Sequence, residues 1–143
     1  MSLLLTILLS VVPQSHNPMG FDQDATTHHF VLTASGGYIE VTVRNPTDRK
    51  NLAAIREHLS HIALRFKAGD FNIPMLVHGE QPSGAEMMKR LKDRIEYQYT
   101  ATKDGGRIAI ITDDHEALQA VHEFIRYQIR EHKTGDSISI PSR

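Results

Sequence analysis

No cysteine occurs among the 143 residues of this chain, and the formal net charge is only −1. Without cysteine the chain has no disulfides, no zinc–thiolate site and no cysteine nucleophile. Its acidic and basic residues are interspersed, so it also lacks the basic stripe expected of a general nucleic-acid binder. An apolar content of 40% is ordinary for a globular protein, and the length suits one domain with a single hydrophobic core.

The familiar motifs of phosphate binding and covalent catalysis are missing as well. The sequence has no Gly-rich phosphate loop and no Gly-x-Ser-x-Gly elbow. Asp113 and Asp114 are neighbouring carboxylates, but their position just before an apolar stripe indicates helix capping. Because no nucleophile or carboxylate partner is in place, an enzyme that uses histidines as acid and base is the least supported hypothesis.

One apolar stretch, Leu3–Val12, lies near the N-terminus. It is too short to span a bilayer as a helix, so no transmembrane span is predicted. It matches the apolar core of a secretory signal, which predicts a periplasmic or secreted protein, and the alternative is a buried terminal strand or helix. We therefore predict a signal-like remnant or disordered tail at residues 1–20, a folded domain at residues 21–136 and a C-terminal tail at residues 137–143.

The chain contains an internal repeat. His28–Gly37 aligns with Tyr97–Gly106, and Ile55–Asp70 aligns with Val121–Asp136. Both copies have a Gly-Gly pair, an apolar helix pattern and a closing Gly-Asp. Since a repeat of this kind dictates the fold, the domain is predicted to be a duplicated strand–strand–helix unit.

The first part of each copy is predicted to be a hairpin. Apolar residues alternate with polar or smaller ones, as in strands that bury one face. Gly36-Gly37 and Gly105-Gly106 are predicted to supply the positive φ angles of tight turns. The strand residues expected in the core are Phe30, Leu32, Ile39, Val41, Val43, Ile95, Tyr97, Tyr99, Ile108 and Ile110.

A helix is predicted after each hairpin, because apolar residues recur there at steps of three and four. Asn45 and Asp113 are predicted to cap the starts of the two helices, and Gly69 and Gly135 their ends. Between the copies lie a connector and a short helix capped by Ser83. This order predicts an α+β fold in which a four-stranded, mostly antiparallel sheet carries helices on one face.

Histidine is the chemically distinctive residue type, with nine copies. His58 and His61 lie three residues apart on the first helix and are therefore neighbours on its surface. Imidazole suits zinc and copper, and a thioether adds a preference for copper. The hypothesis is a non-catalytic copper or zinc site whose ligands come from His28, His29, His58, His61, His78 and Met75.

The same residues also have an ordinary structural interpretation. His28 fits a position at the edge of the core, and His58 and His61 fit the polar flanks of a helix. His132 falls in a last helical turn, where the helix dipole favours a protonated side chain. A pair of histidines at this spacing is a weaker signal than a complete ligand motif.

An alternative hypothesis is a binding or assembly module. In the predicted fold one face of the sheet stays open, and a partner or a second copy of the chain could pack on it. The residues expected on that face are Val31, Tyr38, Ala109 and Ile111.

The stretch MGFDQDATTHHF, which begins at Met19, resembles the start of a family of small, largely uncharacterised bacterial proteins. The later segments IREHLSHIALRFKAGDFNIPMLVH and MMKRLKDRIEYQY extend the resemblance over residues 19–136. It implies an exported protein and no settled function. Some relatives carry an aspartate carbamoyltransferase label, but this chain lacks the Ser-Thr-Arg-Thr loop expected for the carbamoyl phosphate site of that enzyme.

Overall fold

A computed structural model describes residues 17–142 of the chain, so the signal-like stretch Leu3–Val12 lies outside the described residues. The elements are β1 Thr26–Thr33, β2 Gly36–Val43, α1 Arg49–Lys67, α2 Asn72–His78, α3 Ala85–Arg90, β3 Glu96–Thr102, β4 Gly105–Ile111 and α4 His115–His132. A short 3-10 turn, Lys92–Arg94, precedes β3. None of the helices in the described part combines the length and apolar composition that a membrane span requires.

The strands form one four-stranded antiparallel sheet in the order β1-β2-β4-β3. Two hairpins, β1-β2 and β3-β4, join through their second strands, with Tyr38 opposite Ala109. This confirms the predicted α+β class. The alternating side chains that face the helices are the buried ones, as period two requires.

Each long helix packs on the hairpin of the other half. Helix α1 lies mainly on β3 and β4, and α4 lies on β1 and β2. Two equivalent hydrogen bonds mark this exchange. Arg56 of α1 donates to the carbonyl of Thr102 at 2.7 Å, and His122 of α4 donates to that of Thr33 at 2.9 Å. Neither half therefore closes its own core.

The two halves share a single interior, as predicted. Both predicted helix stripes face it, although Leu118 is only half-buried. Tyr97 and Tyr99 are also only partly buried and pack against its edge. The largest fully buried side chains include Phe66, Phe124, Leu32, Ile55, Met88, Ile108, Ile110 and Ile125.

The Gly-Gly pairs do not form the turns, so that prediction is wrong. The turns are Ala34-Ser35 and Lys103-Asp104, and the glycines begin β2 and β4. Gly36 and Gly105 lie where these central strands approach most closely. A Cβ on Gly36 would stand 2.0 Å from the carbonyl oxygen of Ile110, and one on Gly105 would stand 1.8 Å from that of Val41.

The first long helix starts later than predicted. Its N-cap is Asp48, whose carboxylate accepts a hydrogen bond from the backbone N–H of Asn51 at 3.0 Å. Asn45 instead forms a local turn, because its side-chain oxygen accepts from the N–H of Thr47. A short polar side chain that is engaged in such a turn cannot also cap the helix. The predicted end is confirmed, since Gly69 follows α1 with φ +79°.

The predicted caps of the later helices are also displaced. Asp114, not Asp113, caps α4 by accepting from the N–H of Ala117 at 2.9 Å. Its end is Lys133, in a left-handed conformation, rather than Gly135. Helix α3 begins after Gly84 and has no side-chain cap, so Ser83 does not cap it.

Replacement of Gly105 by alanine should test the close approach of the two central strands. The new Cβ would collide with the backbone of β2, which cannot move aside as a flexible side chain can. We therefore expect a loss of about 3 kcal/mol in the free energy of unfolding. Gly79→Ala is the control, because no atom lies within 4 Å of its Cβ position and only its φ of +71° is strained. Chemical denaturation should show a cost of about 1 kcal/mol for the control. Equal losses of unfolding free energy in the two variants would contradict the close approach of β2 and β4 at Gly105.

Candidate functional site

A small cavity lies between the two long helices. Helices α1 and α4 form the walls, β1 and β2 form the floor, and α2 covers the top. The volume of this cavity is about 60 Å³. The segment that contains α2 was predicted from the sequence only as a connector. Most of the lining is apolar, including Phe30, Val41, Leu59, Ile62 and Val77.

Four histidines line this cavity, each from a different element. They are His28 on β1, His58 on α1, His78 on α2 and His132 on α4. The rings of His28 and His132 are stacked with centroids 5.6 Å apart. The ring of His78 meets that of His132 edge-on at 5.0 Å. Phe21 completes the arrangement, stacking on His28 at 5.7 Å and meeting His58 edge-on at 5.5 Å.

Burial keeps three of these histidines neutral. It lowers the pKa of His28 to about 4, with smaller contributions from the neighbouring His29 and Arg44. It also lowers the pKa values of His58 and His132 to about 4, and nearby imidazoles add to the effect. The expectation that the helix dipole favours a protonated His132 is therefore wrong, because loss of hydration outweighs the dipole here.

The hydrogen bonds of the cluster leave lone pairs available. Nε2 of His78 lies 2.8 Å from Oε1 of Gln128. Because a carbonyl oxygen only accepts, this nitrogen is the donor, and in the neutral form of the ring Nδ1 has the free lone pair. Nε2 of His28 is buried and has no hydrogen-bond partner. By contrast, Nε2 of the buried His122 has a hydrogen-bond partner, the carbonyl oxygen of Thr33.

The repeat supplies an internal comparison for this cluster. In the two alignments His28 corresponds to Tyr97, His58 to Phe124 and His132 to Phe66. These three aromatic residues form the equivalent cluster beneath the exchanged helices, with Phe66 5.9 Å from Tyr97 and 5.7 Å from Phe124. The fold is thus built with aromatic side chains in the cluster on the second hairpin and with imidazoles in the cluster on the first.

The residues proposed as ligands from the sequence divide into two groups. His28, His58 and His78 come together in the cavity. His29 lies on the opposite face of the sheet, as alternation predicts, and its Nδ1 is 2.9 Å from a carboxylate oxygen of Asp136. His61 is exposed and shares only a surface cavity with His58.

Met75 also lies away from the cluster, because its side chain is 39% exposed and lines another surface cavity. Met19, rather than Met75, is the methionine that lines the histidine cavity. It is buried, at 8% exposure, and lines both the histidine cavity and the surface cavity beside His61. Met19 precedes the domain start predicted at residue 21, although it packs into the core.

Sequence reasoning missed His132 and Met19 as site residues. For His132 a signal was available, because it continues the apolar stripe of α4 after Ile125 and Gln128. A histidine on such a stripe faces the interior. For Met19 the sequence offered no periodic pattern, since the residue lies in a turn before β1.

The four rings are close together but are not oriented around a common point. Among residues 17–142, no three His, Cys, Asp or Glu side chains stand in an arrangement that would already hold a metal ion. Imidazoles that share a tetrahedral ion, with bonds of about 2.0–2.1 Å, have ring centroids roughly 5 Å apart. The two spacings that involve His132, 5.6 Å to His28 and 5.0 Å to His78, are near this value.

The open face of the sheet is less apolar than the assembly hypothesis supposes. Val31, Tyr38 and Ala109 are only half-buried there. The guanidinium of Arg107 lies 4.1 Å above the ring of Tyr38 and forms an ion pair of 2.8 Å with Glu40. A charged pair therefore occupies the middle of this face, and assembly through it stays a prediction.

Comparison with known proteins identifies no relative: no family model, no curated protein and no solved structure matches the chain. Inference about function therefore rests on the geometry of the cavity.

Stability should fall as the pH is lowered from 6.5 to about 4. Unfolded histidines bind protons near the ordinary pKa of 6.5, whereas the buried ones resist protonation until about 4. The unfolded state thus holds more protons in this window, and each one contributes a slope of about 1.4 kcal/mol per pH unit. The stabilisation is complete above pH 6.5 and is lost on acidification.

The measurement is urea unfolding at several pH values in metal-free buffer. The variant His28→Tyr/His58→Phe/His132→Phe carries the residues of the equivalent positions in the repeat and should have a much shallower slope. His29→Gln/His61→Gln, which alters two histidines outside the cavity, is the control. The same slope in wild type and triple variant would disprove the burial of neutral imidazoles.

Proposed function

We propose that this protein binds a transition-metal ion, copper or zinc, in the cavity formed by His28, His58, His78 and His132. The observation that carries the proposal is the contrast between two clusters at positions that the repeat makes equivalent. Where one cluster packs with Tyr97, Phe124 and Phe66, the other has three histidines, so packing alone does not require imidazole. Imidazole at all three positions is then best explained by what its nitrogen lone pairs bind.

The protonation state supports the proposal. Only the neutral form of imidazole coordinates a metal, so metal normally competes with protons. Burial lowers the pKa of three of these histidines to about 4, which removes that competition at neutral pH.

The size of the cavity favours an ion over an organic ligand. Pockets for organic ligands usually measure about 300–1,000 Å³, and even benzene has been bound in an engineered cavity of about 150 Å³. A cavity of about 60 Å³ holds an ion or a few waters.

A purely structural role leaves an unexplained cost. A buried nitrogen without a hydrogen bond, such as Nε2 of His28, costs about 1–3 kcal/mol. Phenylalanine at that position would avoid the cost, whereas the equivalent residue Tyr97 carries a similar one, because its hydroxyl is also buried without a hydrogen-bond partner. Proteins keep destabilising groups of this kind where function needs them.

The ligand set fits a copper-binding role, because histidine and thioether ligands suit copper where no cysteine is available. The proposed function is non-catalytic binding, and an extracytoplasmic location is proposed from Leu3–Val12.

Titration calorimetry with copper and zinc tests the proposal in full-length protein. We expect one ion per chain with a dissociation constant of about 1 μM or tighter. The triple variant His28→Tyr/His58→Phe/His132→Phe should fold, because the same side chains pack at the equivalent positions of the repeat, and should bind at least about 100-fold more weakly.

Two adjacent or nearby histidines give matched controls. His28→Ala should weaken binding while His29→Ala should not, and His58→Ala should weaken binding while His61→Ala should not. Circular dichroism confirms that each variant is folded. Equal loss in His58→Ala and His61→Ala would point instead to a surface chelate, and unchanged binding in the folded triple variant would end the proposal.

A further inference from the structure

We infer that the histidine cavity selects monovalent copper, Cu(I), over divalent zinc and copper, with Met19 as its soft ligand. The inference rests on the proposed function, because it specifies which ion the same site takes. It is drawn from the charge and the chemical softness of the cavity lining.

The lining of the cavity contains no charged side chain. Its polar members are the four histidines and Gln128, and no Asp, Glu, Lys or Arg contributes to it. The acidic groups around the cavity lie outside its lining. Glu80 accepts a hydrogen bond from Tyr127 at 2.7 Å, Asp136 pairs with His29, and Glu57 lines the neighbouring surface cavity.

An ion in this cavity would therefore keep its full charge. The cost of moving an ion from water into a poorly polar interior grows with the square of the charge, so a divalent ion pays about four times the cost of a monovalent one. Divalent sites in proteins commonly include carboxylate or thiolate ligands that offset this charge. A site built only from neutral donors discriminates in favour of a monovalent ion.

Met19 adds a preference of its own. Thioether sulfur is a soft ligand that selects Cu(I), whereas zinc takes nitrogen, thiolate and oxygen ligands. The residue is held in place, because its backbone N–H donates to the side-chain oxygen of Asn17 at 3.0 Å. Its side chain is buried against the cavity that the histidines line.

Met19 and His58 also provide access to the cavity. Both residues line a second cavity that opens to the surface beside Glu57 and His61. An ion that enters through this second cavity would pass the exposed Glu57 and His61 and then reach Met19 and His58. Exchange between them and the inner histidines moves the ion inward without opening the core between α1 and α4.

The experiment measures Cu(I) binding to the full chain by anaerobic competition with a chromogenic chelator, and Zn(II) and Cu(II) binding by calorimetry. We expect Cu(I) to bind at least about 100-fold more tightly than Zn(II). Zinc that binds as tightly as Cu(I) and is lost in the folded triple variant would overturn the selectivity and leave the proposed function standing. Failure of all three ions to bind would overturn the proposed function itself.

Met19→Leu isolates the role of the thioether, because leucine has nearly the same volume and preserves packing. We expect about tenfold weaker Cu(I) binding and Zn(II) binding unchanged within about twofold. Met75→Leu is the matched control, since this methionine lies outside the cavity and should have no effect on either ion. Cu(I) affinity unchanged in folded Met19→Leu would exclude Met19 as a ligand.

Discussion

The pairing of β2 with β4 is the contact on which the rest of this structure depends. It joins two hairpins that are each too small to bury an apolar face. It also places each hairpin beneath the helix of the other half, so that α1 and α4 close one shared core. The strands approach so closely that Gly36 and Gly105 have no room for a Cβ, and this requirement explains the first glycine of the pair in each copy.

The exchange of helices also creates the groove in which the histidines meet. With α1 over β3 and β4, and α4 over β1 and β2, the two helices leave a gap above the first hairpin. Helix α2 and the turn that contains Met19 cover this gap. The imidazoles of His28, His58 and His132 are therefore partly shielded from water, and this loss of hydration lowers their pKa values to about 4.

Duplication separates the demands of folding from those of function in this chain. The equivalent positions Phe66, Tyr97 and Phe124 show what side chains suffice for packing. The proposed metal site is the same cluster with its rings replaced by imidazoles. Burial of imidazole lowers stability on acidification, whereas burial of phenyl does not. This asymmetry between equivalent positions is the basis of the proposed metal site.

The local patterns in the chain predicted a large part of the fold. Stripes such as Leu52, Ile55 and Leu59 specify a buried helix face whatever the partner is, because periodicity is a property of one element. The helix starts were predicted less accurately. Asp48 and Asp114 each have polar neighbours that could cap as well, and only the turn geometry decides among them.

The amino-acid sequence alone was sufficient to establish the class of fold, the repeat and the face on which His28 and His29 lie, because these follow from spacing within a single segment. Which histidines come together was decided by tertiary packing. His28 and His132 are far apart in the chain, and they meet only because α4 crosses the hairpin of the other half. Their pKa values depend on the same contacts, since the loss of hydration that lowers them exists only once the groove is covered.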